Sequence, residues 1–167
     1  SVSIDTLLPG NQTLVSFGSF APTVTGTNSI VVSVPSDQNT SNNSMTKSTI
    51  TTLNSYSYAQ GSTAAGGVGF NGATGDFVAK FTTNIQKSLN QVDVNFTSSG
   101  NSFQIGVWNK DAFGNPDSLL YTSPTYTSST GVYTVLVNPP VIIPAGSFFV
   151  GVRQIGTTNI GFAYQTE

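Results

Sequence analysis

The sequence predicts an all-β protein of antiparallel sheets packed as sandwiches. Apolar and polar residues alternate with period two between turn signals along most of the chain, and 3.6-residue helical spacing is almost absent. Ser, Thr and Asn fill roughly a third of the 167 positions, and Ser and Asn compete with helical backbone hydrogen bonds, so turns and strands are favoured. Aliphatic residues with eleven Phe and six Tyr bring the hydrophobic share to 37%, enough for a packed core rather than a disordered chain.

Each element follows from the local pattern. Thr13–Phe20 alternates Leu14, Ser16, Gly18 and Phe20 against Val15, Phe17 and Ser19. Asn28–Val34 is a β-branched run closed by Pro35, Ser36–Ser44 is a polar turn, and Met45–Leu53 alternates again. Ala59–Gly75 is rich in Gly, Ala and Ser and reads as loop, with one short strand around Val68–Phe70. Strands then follow at Asp76–Thr83, Ser88–Thr97, Ser102–Trp108, Leu119–Thr122, Gly131–Asn138, Ser147–Gln154 and Asn159–Tyr164. Pro139, Pro140 and Pro144 are expected to break the chain between two of these strands, because Pro cannot donate within a ladder.

A composition shift near Asn54 divides the chain into residues 1–53 and 54–167. The first part is expected to hold four strands, about half of a sandwich. Leu14, Phe17, Phe20, Ile30, Val32 and Ile50 then need partners from residues 54–167 or from a neighbouring chain.

Composition excludes several classes of function. Only 7% of residues are charged, and Lys47, Lys80, Lys87, Lys110 and Arg153 are scattered, so no phosphate-tracking surface for nucleic acid is expected. No apolar run approaches the ~20 residues of a membrane helix, and no membrane insertion is expected. With no His and no Cys there is neither a Ser-His triad nor a thiolate nucleophile, and Glu167 is the only Glu. Asp76 and Asp93 lie on expected strands, but nothing in the sequence brings them together as a carboxylate pair. The glycines of Gly66–Gly72 precede neither a Lys-Ser/Thr pair nor a helix, so they read as turns rather than a phosphate loop. No catalytic residue and no resident cofactor are therefore assigned.

Two patterns carry a family resemblance. Residues 1–53, through LLPGNQTLVSF, GTNSIVVSV and the turn SDQNTSNN, resemble the second half of a CARDB-like adhesion domain, an immunoglobulin-like module. Residues 54–167, through GVGFNGATGDFVAKFT, FQIGVWNKDAFGNPDSLLYTS and VNPPVIIPAGSFFVGV, resemble a jelly-roll-like module of large proteins exported by the type IX route of Bacteroidota. The front half of the first module and the sorting domain of a complete type IX cargo are not in this sequence, and the chain begins at Ser1 without Met or a signal peptide. The resemblance thus implies a fragment or processed piece of a secreted or cell-surface protein. It also implies O-glycosylation, since Asp5-Thr6-Leu7 and Asp117-Ser118-Leu119 look like the acceptor pattern of that group; Thr6 and Ser118 would then be exposed.

Two binding sites are candidates. Asn109, Asp111, Asn115 and Asp117 gather hard oxygen donors in one loop, a composition that binds Ca²⁺ and that an ordinary turn also requires. Trp108, Phe113 and Tyr121, with Tyr126 nearby, are aromatics of the kind that stack on sugar rings. The competing reading is that Trp108 and Phe113 pin the loop to the core. The leading expectation for the whole chain is a non-catalytic structural or adhesive module, extracellular or at the cell surface. Its partners would be other domains of the parent protein or neighbouring copies. The alternatives are a carbohydrate-binding accessory module with glycan partners, and a filament subunit completed by strand exchange.

Overall fold

In the computed structural model the described residues are 2–4, 6–59 and 63–166. The chain is all-β and forms two compact units, Ser1–Tyr56 and Ser57–Glu167.

The first unit holds one hairpin. β1 (Gly26–Ser33) and β2 (Ser44–Thr51) pair antiparallel without a break, from Gly26 opposite Thr51 to Ser33 opposite Ser44. The polar run between them turns where expected. The Asp37 carboxylate accepts the Asn39 amide at 2.8 Å, and a single 3-10 turn spans Thr40–Asn42. Among the described residues the expected four strands reduce to two. Thr13–Phe20 alternates as a strand should, but it joins no ladder. Leu14, Phe17 and Phe20 are 92%, 60% and 52% exposed, so the pattern has no sheet to sort its two faces against. Ile50 is likewise exposed, Ile30 is half-buried, and no described residue of this unit is buried.

The second unit is sandwich-like. Its strands are β3 (Gly66–Val68), β4 (Gly75–Thr83), β5 (Lys87–Phe96), β6 (Ser102–Lys110), β7 (Pro116–Thr122), β8 (Tyr126–Thr127), β9 (Gly131–Ile143), β10 (Gly146–Gln154) and β11 (Phe162–Tyr164). One antiparallel sheet has the order β4-β10-β6-β7, with β8 on β6; the other has the order β3-β11-β5-β9. The inward side chains of both sheets meet in two apolar clusters. Phe103 and Ile105 of β6 and Val152 of β10 pack with Val94 and Phe96 of β5 and Val135 of β9. Val107 and Phe148 meet Ile143 in a second cluster. The inward alternation of β4, β5 and β6 is the one read from sequence.

Two local expectations change. The short strand expected at Val68–Phe70 forms at Gly66–Val68. A Cβ on Gly67 would come within 1.9 Å of the Thr97 hydroxyl and 3.0 Å of Gly161, so only bare backbone fits there. Residues 60–62 of the loop before it lie outside the described residues. Pro139 and Pro140 do not end the strand. They sit inside β9, where Leu136 pairs with Gln91 and Val141 with Leu89, so the residues between Leu136 and Val141 bulge opposite Asn90. The bulge lies on an edge strand, where a missing N–H costs no ladder bond on the open side. Pro144 does lie at a break, in the crossover from β9 to β10. The two-residue strand β8 has too little pattern to read from sequence.

Candidate functional site

The aromatic and polar candidates lie around β6. Since Phe103, Ile105 and Val107 point into the core, Gln104, Gly106 and Trp108 point to the opposite, outer face. Strand register extends this face into rows. Lys80, Phe149, Trp108 and Leu119 form one row; Val78, Gly151, Gly106 and Thr122 form the next; Asp76, Arg153 and Gln104 form the third.

The middle row explains where the indole goes. A Cβ on Gly106 would stand 2.2 Å from the Trp108 ring, so the ring lies in the space that a side chain would otherwise fill. Arg153 closes over it. Its guanidinium carbon is 6.0 Å from the ring centroid, Nε bonds Asp76 at 3.2 Å, and an Nη donates to Thr122 Oγ1 at 3.1 Å. Trp108 is therefore only 8% exposed although it lies outside the sandwich core. The side chains of Arg153 and Asp76 are 31% and 38% exposed, and they border a shallow depression completed by Thr74, Gly75, Gln154 and Ile155.

The three aromatic candidates do not converge. Phe113 stands 90% exposed at the tip of the β6–β7 loop and does not pin that loop to the core. Tyr121 pairs with Val107 and turns inward against the second core cluster. Burial there, reinforced by Tyr126, raises its phenol pKa above the ordinary value. Tyr126 packs on the other cluster, its ring 5.8 Å from that of Phe103.

The loop holds its shape through Asp111. One carboxylate oxygen accepts the amides of Asn115 at 2.7 Å and Phe113 at 2.9 Å, while the other lies 3.5 Å from the Asn115 side-chain amide. The Asp111 N–H donates to the Asn115 carbonyl at 2.8 Å. The Asn115 amide, aided by that of Phe113, holds the Asp111 carboxyl below the usual carboxylate range. Asn109 accepts the Lys110 amide, and Asp117 lies exposed on β7. Among the described residues no group of three or more His, Cys, Asp or Glu is placed to hold a metal ion. The Asp111 carboxylate is instead directed at the backbone of its own turn.

Asp76 and Asp93 stand on the outer faces of different sheets. Asp93 accepts the Thr134 hydroxyl at 2.7 Å and the Gln91 amide at 2.9 Å. Thr6 and Ser118 are both exposed; Asp5 and Glu167 lie outside the described residues.

Sequence reasoning missed Gln154. It is 2% exposed at the end of β10, in the inward series Phe148, Val150, Val152. Its Oε1 accepts the Phe70 amide at 2.9 Å. Its Nε2 lies 2.8 Å from the Phe70 carbonyl, 2.9 Å from that of Gly156, 3.0 Å from that of Thr158 and 3.3 Å from that of Ala73. One side chain thus ties two loops to the sandwich. The signal was available: a lone amide at an inward position of an otherwise apolar strand needs internal partners.

Comparison of the chain with protein-family models, with curated proteins and with solved structures finds no match. Among the described residues no helix is long and apolar enough to cross a membrane.

Proposed function

We propose that the chain is a non-catalytic structural or adhesive module of a secreted or cell-surface bacterial protein of the type IX class, working through non-covalent contacts with neighbouring domains or copies. The observation that carries this is the first unit. Among the described residues it holds a two-stranded sheet with both outer edges unpaired and, before it in the chain, a strand-patterned segment in no ladder whose Leu14, Phe17 and Phe20 are exposed. Open edges and exposed apolar side chains are what recruit another strand. The second unit is read as the jelly-roll-like accessory module. Support comes from its strand orders, β3-β11-β5-β9 and β4-β10-β6-β7, with β3 to β6 and β9 to β11 alternating between sheets. Beads coated with the purified chain are expected to adhere to one another or to bacterial envelope under flow. Detachment as fast as from albumin-coated beads, or turnover of peptide, ester or glycoside substrates by the chain, would overturn the proposal. On the same reading Thr6 and Ser118 carry glycans, and intact-mass analysis of protein from its native source is expected to show hexose-containing additions at both.

A second reading, a carbohydrate-binding accessory module, is favoured by the outer face of β6 and β10. There Arg153, Asp76 and Gln104 offer hydrogen-bonding groups around a shallow depression, with the indole packed beneath Arg153. A glycan array probed with the full chain and with Arg153→Ala tests it. Absence of any bound glycan removes it.

A further inference from the structure

The two strand orders of the second unit end in β4, β7, β3 and β9, and three of these four end strands are visibly protected. β3 is three residues long, β4 carries Asp76 and Lys80, and β7 begins at Pro116, carries Asp117 and pairs through bulges. β9 differs. It is thirteen residues long, has no charged residue, and among the described residues pairs only with β5, so its other side is an open edge. Its prolines protect only the second half. From Gly131 to Val137 nothing interrupts the edge.

That open run is self-complementary. Val135 and Val137 are buried in the sandwich, whereas Val132 and Leu136 point outward and are 61% and 67% exposed. Thr134 lies at the midpoint of Gly131–Val137. If two copies pair antiparallel about Thr134, each Val132 stands opposite the Leu136 of the second copy and Thr134 faces Thr134. Pairing ends where the chain demands it: beyond Val137 come Asn138 and the two prolines, and before Gly131 comes a turn in which Gly131 has φ +98°. Asp93, the nearest carboxylate on that face, sits on β5 one strand further in and already accepts the Thr134 hydroxyl, so like charges are not brought together across the dyad.

We propose that the Gly131–Val137 edge of β9 is an isologous docking site for a second copy of this chain, joining two four-stranded sheets into one of eight strands. This stands on β9 alone, and a monomeric chain would leave the adhesive reading of the first unit untouched. A seven-residue edge buries less than a standard interface of about 1,600 Å², so the association is weak.

Sedimentation of the full chain from about 10 µM to about 1 mM, the range suited to a weak dimer, is expected to show a monomer–dimer equilibrium. Leu136→Lys and Val132→Glu, each alone, are expected to shift the chain to monomer with an unchanged melting temperature, since both side chains are more than half exposed. The double variant V132E/L136K is expected to recover the dimer, because each new carboxylate then faces a new ammonium across the dyad. A wild-type chain that stays monomeric throughout overturns the proposal. So does association that Leu136→Lys leaves intact, which would place the contact elsewhere. A double variant that remains monomeric overturns the register about Thr134.

Discussion

At the scale of single residues, the second unit depends on side chains whose roles differ from their residue types. Gln154 is the clearest case, a buried amide surrounded by backbone carbonyls of the loops that follow β3 and β10. Gln154→Leu keeps the volume but leaves several of these groups without a partner, at about 1–3 kcal/mol for each group that stays buried. Thermal or denaturant unfolding is expected to show a loss of at least that size, with amide exchange rising first around Phe70 and Gly156. Trp108 and Gly106 form a coupled pair, because the ring occupies the glycine's missing side-chain space. Gly106→Ala alone is expected to cost about 1–3 kcal/mol by overpacking. In Trp108→Ala the same substitution is expected to cost far less, and a double-mutant cycle measures the difference. Additive costs would show that the ring does not lie on Gly106. Asp111 gives a pH dependence. Its carboxyl is depressed by amides of its own turn, so the stabilisation of the loop is complete above the unfolded carboxylate pKa and is lost as pH falls through the lower folded value. An NMR titration is expected to show the Phe113 and Asn115 amides moving together with the Asp111 carboxyl in that acid window and nowhere near neutrality.

At the scale of elements, the same period-two signal has two outcomes. In β6 and β10 alternation sorts into a core face and an outer face, because each strand has neighbours on both sides. In Thr13–Phe20 an equally good alternation has no ladder partner, and its large side chains stay exposed. A two-stranded hairpin is marginal in water by itself, so β1 and β2 gain little from each other beyond their hydrogen bonds. The β6–β7 loop shows the converse. It holds its form without burying an anchor, through the Asp111 turn and a Lys80 ammonium 3.4 Å from the Gly114 carbonyl. Phe113→Ser is therefore expected to change stability by no more than about 0.5 kcal/mol, as for an ordinary surface substitution. Asp111→Ala is expected to speed exchange of the Phe113 and Asn115 amides. A Phe113→Ser variant that unfolds several degrees earlier would show that the ring is packed after all.

At the scale of the whole molecule, the apolar burial is unevenly shared. Every buried core residue belongs to residues 57–167, and none to the first unit among the described residues. Residues 57–167 expressed alone are expected to melt in a single cooperative transition. Residues 1–56 alone are expected to show none and to aggregate through their open edges. A cooperative, monomeric transition from 1–56 would mean that the hairpin finds a core within its own sequence. The sequence by itself determined the all-β class, the inward series of β4, β5 and β6, and the scarcity of charge, because alternation and composition are local properties that need no partner to be read. It also placed Asp111 in a turn, since Asp, Asn and Gly in one short run carry that meaning wherever they occur. Only the tertiary structure decided that Trp108 lies on the outer face beneath Arg153, that Tyr121 turns inward while Phe113 does not, that Pro139 and Pro140 are carried inside a strand, and that β9 ends its sheet, paired with β5 on one side only among the described residues. Each of these depends on which strand lies beside which, and strand neighbours are set by contacts between residues far apart in the chain, which no local pattern records.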